Sequence, residues 1–183
     1  MKNISLTLFF IFFANFIFAQ KSDNDSYPFD NYYWDNKQFP LDTLYGFNND
    51  TLILSQLENT IVVINFWTTY CQPCLSEINQ LNILKEKYDS YKVKFIAISY
   101  EEKKDIEATL KNHPFNFLHF NVELQLLNSK KITKAFPTNL ILDQNKVVKF
   151  FKFGGTIDKE REEEIRTILS KEIEKLHPTK ITH

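Results

Sequence analysis

Cys71 and Cys74 are the only thiols in 183 residues, and two residues, Gln72 and Pro73, separate them. Cysteines so spaced can close a disulfide and reopen it, carrying two electrons each time. An even cysteine count also fits a merely structural bridge, but so small a loop constrains the unfolded chain little. What would make the pair reactive is its setting. Residues 61–66 form an apolar run that reads as a buried strand, and residues 75–88 place apolar side chains at helical spacing. The cysteines therefore stand where a strand ends and a helix begins. A helix N-terminus leaves backbone N–H groups unpartnered and carries the positive end of the dipole, which favours a thiolate. Such a setting draws a cysteine pKa from ~8.5 into a range of about 3.5–7.5, each unit being worth roughly 1.4 kcal/mol. Pro73 lacks an N–H, and an early helical position is where that loss costs least.

The elements that must hold this junction follow from residue patterns. A hairpin is expected over residues 39–54, around the turn Asn48-Asn49-Asp50. Further strands are expected at 93–99, 117–120, 138–142 and 146–151, and short helices at 103–112 and 123–131, the first stopped by Pro114. A last helix is expected over 158–176, where Ile165, Ile168, Leu169, Ile173 and Leu176 recur at helical spacing before Pro178. Its charge run at 159–164 reads as a solvated face, with acidic residues toward the start and Lys171, Lys175 and His177 toward the end, as the dipole prefers. Strands alternating with helices, then a hairpin and a helix, give an α/β class: one mixed central sheet covered on both faces. No internal repeat and no second domain is visible.

Net charge is −1, which removes the electrostatic case for nucleic acid. Hydrophobic content of 43% and aromatic content of 15%, with 18 Phe, suit a packed domain. Lys2, a mostly apolar stretch at 4–18 and the small Ala19 read as a signal peptide, residues 1–19, cleaved near Ala19. The competing reading is an uncleaved membrane anchor, but Asn15 interrupts the run and it falls short of the ~20 residues a spanning helix needs. Residues 20–37 read as a spacer, polar at first and then rich in rings: Tyr27, Phe29, Tyr32, Tyr33 and Trp34, continuing to Phe39. Those rings either pack onto the domain or form a docking patch. The domain proper is expected at 38–177, with a tail at 178–183. An exported mature chain would work where disulfides persist.

Three segments carry a family resemblance. They are Val62-Val63-Ile64-Asn65-Phe66-Trp67, then Cys71-Gln72-Pro73-Cys74-Leu75-Ser76-Glu77, and downstream Phe136-Pro137-Thr138-Asn139-Leu140-Ile141-Leu142-Asp143. Over about residues 38–176 the chain resembles thioredoxin-fold thiol-disulfide oxidoreductases of the ResA/TlpA-like group. The resemblance implies a thioredoxin-like fold with an N-terminal hairpin extension and a helix–strand insertion between 103 and 120. It implies that Cys71 attacks a partner and that Cys74 resolves the mixed disulfide. Glu77 would lie near the pair, to take a proton from Cys74 or alter the thiol pKa values; two residues later the group often has proline, where this chain has Asn79. Pro137 resembles the proline that this fold holds in a cis peptide beside the cysteines, with Phe136 lining the site. Asn65 stands where thioredoxin has a buried acid; an amide cannot titrate, which places more weight on Glu77. Trp67 is expected beside the disulfide, and Tyr70, in place of a common tryptophan, either at partners or in rim packing. The expected substrate face is Trp67, Tyr70, Gln72, Pro73, Phe136, Pro137 and Thr138.

No cofactor and no metal is called for. The partners implied are exported proteins with thiols or disulfides, such as apocytochrome c, and a membrane or periplasmic redox partner; the location implied is periplasmic or otherwise extracytoplasmic. Two rivals stand beside this reading. Some thioredoxin-fold copper chaperones pair two cysteines with a distant histidine, but usually with three residues between the cysteines, and His113, His119, His177 and His183 share no ligand spacing. His119 is expected to be structural. A thiol peroxidase wants Pro-x-x-x-Thr-x-x-Cys; Thr68 fits, but Ile64 stands where proline is needed.

Overall fold

A strand buried on both faces needs cover on both, and the run at 61–66 sets the middle of this fold. The computed structural model describes residues 33–177; the expected signal peptide, most of the expected spacer and the tail lie outside the described residues. In chain order the strands are β1 Thr43–Gly46, β2 Thr51–Ile53, β3 Ile61–Phe66, β4 Val93–Ser99, β5 Leu118–Asn121, β6 Thr138–Leu142 and β7 Val148–Phe153. The helices are α1 Gln72–Lys87, α2 Lys103–Leu110, α3 Leu124–Ser129 and α4 Glu164–Leu176. One seven-stranded sheet runs β2-β1-β5-β4-β3-β6-β7. β3 pairs parallel with β4 and antiparallel with β6, and β4 pairs parallel with β5. The insertion is thus what joins the hairpin to the rest: β5 sits between β4 and β1.

Side chains alternate across a strand, so β3 feeds two cores. Val62, Ile64 and Phe66 join Leu44, Ile96, Ile98, Leu140 and Trp34 on one face. Ile61 and Val63 join Ile78, Leu81 and Leu84 of α1 and Ile165, Leu169 and Ile173 of α4 on the other. Each such aliphatic side chain contributes about 1.5–3 kcal/mol when fully buried. Tyr88, just past α1, is fully buried and donates to Glu174 Oε1 at 2.9 Å, tying the two helices together. No helix among the described residues is long and apolar enough to cross a membrane.

The structure moves several expected boundaries. Packing begins before residue 38: Trp34 is only 8% exposed and its Nε1 donates to the Lys131 carbonyl at 2.9 Å, while Asn36 N–H donates to the Val148 carbonyl. Among the rings expected to face either the domain or a partner, Trp34 and Phe39 belong to the core. β7 starts two residues later than expected because 143–147 form a turn: Asp143 Oδ1 accepts from Asn145 N and Val147 N, and Lys146 sits at φ 65°. α4 also starts later. Asp158 caps a separate 3₁₀ turn, Lys159–Arg161, by accepting from Glu160 N, and this charged segment has no apolar stripe to carry the helix back through it.

Candidate active site

Cys71 is the N-cap of α1, with φ −87° and ψ 99°, and its sulfur accepts from Cys74 N–H at 3.2 Å. The helix begins at Gln72, three residues ahead of the apolar periodicity, because a capping side chain and an early Pro73 can start a helix before packing requires it. Cys71 and Cys74 are joined in a disulfide, with 5.2 Å between Cα atoms. The two sulfurs live in different surroundings. Cys71 is half-buried at the mouth, whereas Cys74 is 1% exposed and packed in the α1–α4 core with Trp67.

Behind Cys74, one turn along α1, lies Glu77, 6% exposed. Sheet register determines what it meets. Asn65 pairs with Asn139, and Asn139 pairs with Lys152, so three neighbouring strands bring these polar residues side by side. Asn65 Nδ2 donates to Glu77 Oε1 at 2.8 Å and to Asn139 Oδ1 at 3.0 Å. Asn139 Nδ2 donates to Glu77 Oε1 at 3.2 Å. Burial pushes the Glu77 carboxyl up to about 7, against the pull of Asn139, Asn65 and the Lys152 ammonium. Glu77 also lines a cavity of about 110 Å³ with Lys152, Gly155, Arg161, Glu162 and Glu164. A carboxyl that titrates near neutrality beside a buried thiol can exchange a proton with it.

Two further loops frame the mouth. The Phe136–Pro137 peptide is cis. Gly155 lies against it: a Cβ there would come within 2.8 Å of Pro137 Cγ and 3.2 Å of Pro73 Cβ, so any side chain there would force the two rings to shift. Gly154 N–H donates to the Pro137 carbonyl at 2.7 Å. On the other side, Glu101 straps the loop before Cys71, its carboxylate accepting from Thr69 N at 2.7 Å and from Thr69 Oγ1 at 2.6 Å.

A family model described as AhpC/TSA matches residues 36–151. The chain belongs to the AhpC/TSA family. This AhpC/TSA-family chain is 25% identical over 131 residues to the thioredoxin-like protein YneN of Bacillus subtilis, a match covering 69% of this chain and 74% of YneN. It is 27% identical over 155 residues to the thiol-disulfide oxidoreductase ResA of Halalkalibacterium halodurans, covering 84% of this chain and 82% of that one. Against ResA of Bacillus subtilis the identity is 29%, and the match spans 58% of that protein's length. Among solved structures, the thioredoxin domain of a thiol-disulfide oxidoreductase from Bacteroides vulgatus superposes with a TM-score of 0.63 at 12% identity, covering 75% of this chain and 96% of that one. StoA of Bacillus subtilis superposes at 0.55 and 16% identity, covering 68% and 92%. The fold is thioredoxin-like, and the chemistry of the family member is that of a thiol-disulfide oxidoreductase.

Within this AhpC/TSA-family fold, the residues singled out from sequence separate into three groups. Tyr70, 65% exposed, and Gln72 face solvent; Pro73 and Phe136 are half-buried. Trp67, Pro137 and Thr138, expected on the substrate face, are buried. Trp67 packs edge-on against Phe115 and His119, and Thr138 Oγ1 donates to the Ala135 carbonyl, so both support the site from beneath. His119 is bound up in the same packing, its Nε2 donating to the Phe115 carbonyl at 2.9 Å. Among the described residues, no three His, Cys, Asp or Glu side chains gather as a metal site. Sequence reasoning passed over Asn139, Lys152 and Gly155 as site residues. An amide inside an otherwise apolar strand was the available signal for Asn139; Lys152 and Gly155 emerge only with register and loop path.

Proposed function

We propose that this protein is an exported enzyme that reduces disulfides in other exported proteins, with apocytochrome c as one such substrate and a membrane or periplasmic thiol protein restoring its own dithiol. The supporting observation is the unequal access of the two bonded sulfurs: Cys71 at the mouth of α1, Cys74 sealed behind it. In the reduced protein, the Cys71 thiolate attacks one sulfur of the substrate disulfide. That S–S bond breaks, a mixed disulfide to Cys71 forms, and the departing substrate sulfur takes up a proton. Cys74 then passes its proton to Glu77 and attacks Cys71 Sγ. The Cys71–Cys74 bond forms, the second substrate thiolate leaves and is protonated, and two electrons have moved from the enzyme to the substrate. Tyr70, Gln72, Pro73 and Phe136 border the approach, while Trp67, Pro137 and Thr138 hold its shape.

The test is trapping. Cys74→Ser should accumulate mixed disulfides with partner proteins in the extracytoplasmic fraction, and Cys71→Ser should accumulate none. Complexes held by Cys71→Ser instead would reverse the roles. A Cys71/Cys74 potential well below about −200 mV against glutathione supports the reducing direction, and a potential near that of strong oxidants removes it.

A further inference from the structure

One side chain outside the residues singled out from sequence touches both loops that flank the disulfide. Tyr100 follows β4 directly. Its hydroxyl meets the hydroxyl of Tyr70, the residue before Cys71. Its ring lies on that of Phe136, the residue before Pro137, with centroids 5.7 Å apart and planes tilted by 47°. The adjoining Glu101 fixes Thr69, so the corner after β4 is anchored to the loop it borders. Tyr70 is 65% exposed, and Tyr100 and Phe136 are half-buried, so three aromatic side chains, linked by a hydroxyl contact and a ring contact, line a wall that begins one residue from the half-buried sulfur.

We propose that Tyr100 is a specificity-determining residue: with Tyr70 and Phe136 it forms a wall against which the residue next to the partner's reacting cysteine packs, selecting partners with an aromatic or large apolar side chain there. The inference rests on Cys71 as the exchanging sulfur. Its chemistry follows from how the wall is built. One phenol donates to the other, leaving a single O–H between them, so what the pair offers a visitor is chiefly ring surface. The bond to Tyr70, and then burial, push the Tyr100 hydroxyl up to about 12, so the Tyr100 ring stays uncharged across the working pH range. An extended partner chain delivering a sulfur to Cys71 must lay a neighbouring residue beside Tyr70. A charged residue there would lose water without gaining a partner, whereas an aromatic one would exchange water for ring contact.

The experiment uses the full mature chain and two disulfide-linked model peptides that differ only in the residue beside the cysteine, Phe in one and Asp in the other. The readout is the ratio of kcat/KM for the two peptides, which cancels any general loss of activity. Wild type should prefer the Phe peptide about tenfold, chiefly through KM. Tyr100→Phe, which keeps the ring, should retain the preference, and Tyr100→Ser should bring the ratio to within about twofold of unity. Tyr70→Ser, at an exposed position, should narrow the ratio in the same way and stands in if Tyr100→Ser does not fold. A ratio near unity in wild type, or a preference that survives in folded Tyr100→Ser, or in Tyr70→Ser where Tyr100→Ser does not fold, overturns the inference and leaves the exchange chemistry standing. A wild-type protein that reduces neither peptide, nor the small hydroxyethyl disulfide, overturns the exchange chemistry itself and the inference with it.

Discussion

The two ends of the Cys71–Cys74 bond open onto opposite kinds of protein. In front of Cys71 is a rim of rings and exposed polar residues, with Tyr70 and Gln72 at its edge. Behind Cys74 is a buried compartment where two amides share one carboxyl. The rim tolerates variety, because an exposed side chain contributes little to folding. In the compartment the Glu77 carboxyl accepts from both amides, because an unpaired polar group there is expensive. In the proposed mechanism, access and proton handling are thus divided between sulfurs that sit within one turn of each other.

Adding charge to the rear compartment should break the contrast most severely. Asn65→Asp sets a second carboxyl against Glu77, and two buried carboxyls so close cannot both ionise. We expect a loss on the order of 3–5 kcal/mol at pH 8 that shrinks at pH 5, measured by urea unfolding at both values. Glu77→Gln should act the other way. The Glu77 carboxyl is raised from 4.5 to about 7, so between those values the unfolded chain has released a proton that the folded chain still holds. Wild-type stability therefore falls through that window, and the glutamine variant, which has no such proton, should gain on wild type by up to about 3 kcal/mol by pH 7 and above. Its disulfide-exchange rate should also lose the inflection near neutrality; a variant with the wild-type pH profile would remove Glu77 from proton transfer.

Asn139→Ala takes away one of the two donors and should cost about 1–3 kcal/mol. It should also move the Glu77 titration above its present value of about 7, followed by the carboxyl's infrared band. The smallest effect is expected at the front. Tyr70→Ala should change unfolding free energy by no more than about 0.5 kcal/mol at any pH between 5 and 8, because its ring is mostly in water. A pH-dependent stability change there would mean that front and rear are coupled through the disulfide.

Much of this could be read before any coordinates, and the exceptions share a cause. The bounds of β3 and β4 coincide with those expected from their runs of apolar residues. Cys71, Cys74, Glu77 and Pro137 were visible because they lie in short, contiguous segments. The start of α1 was hidden because a cap, rather than a hydrophobic stripe, sets it; α4 begins late because Asp158 diverts the chain into its own turn. Asn139, Lys152, Gly155 and Tyr100 act through neighbours far away in sequence, and register and loop path decide who those neighbours are. The buried positions of Trp67 and Thr138 were missed for a related reason. Proximity in sequence to a reactive group does not say which side of the backbone faces it.

Gly155 leaves one more consequence. Two pyrrolidine rings from distant parts of the chain come together across a bare stretch of main chain, and neither ring can rotate out of the way of an intruder. A graded series at this position, from alanine through serine to valine, would act as a set of shims, widening the seam between the redox loop and the loop opposite it in sub-ångström steps. Position 155 is therefore the natural adjusting screw of the molecule, a point where the spacing of its jaws can be changed without touching either sulfur.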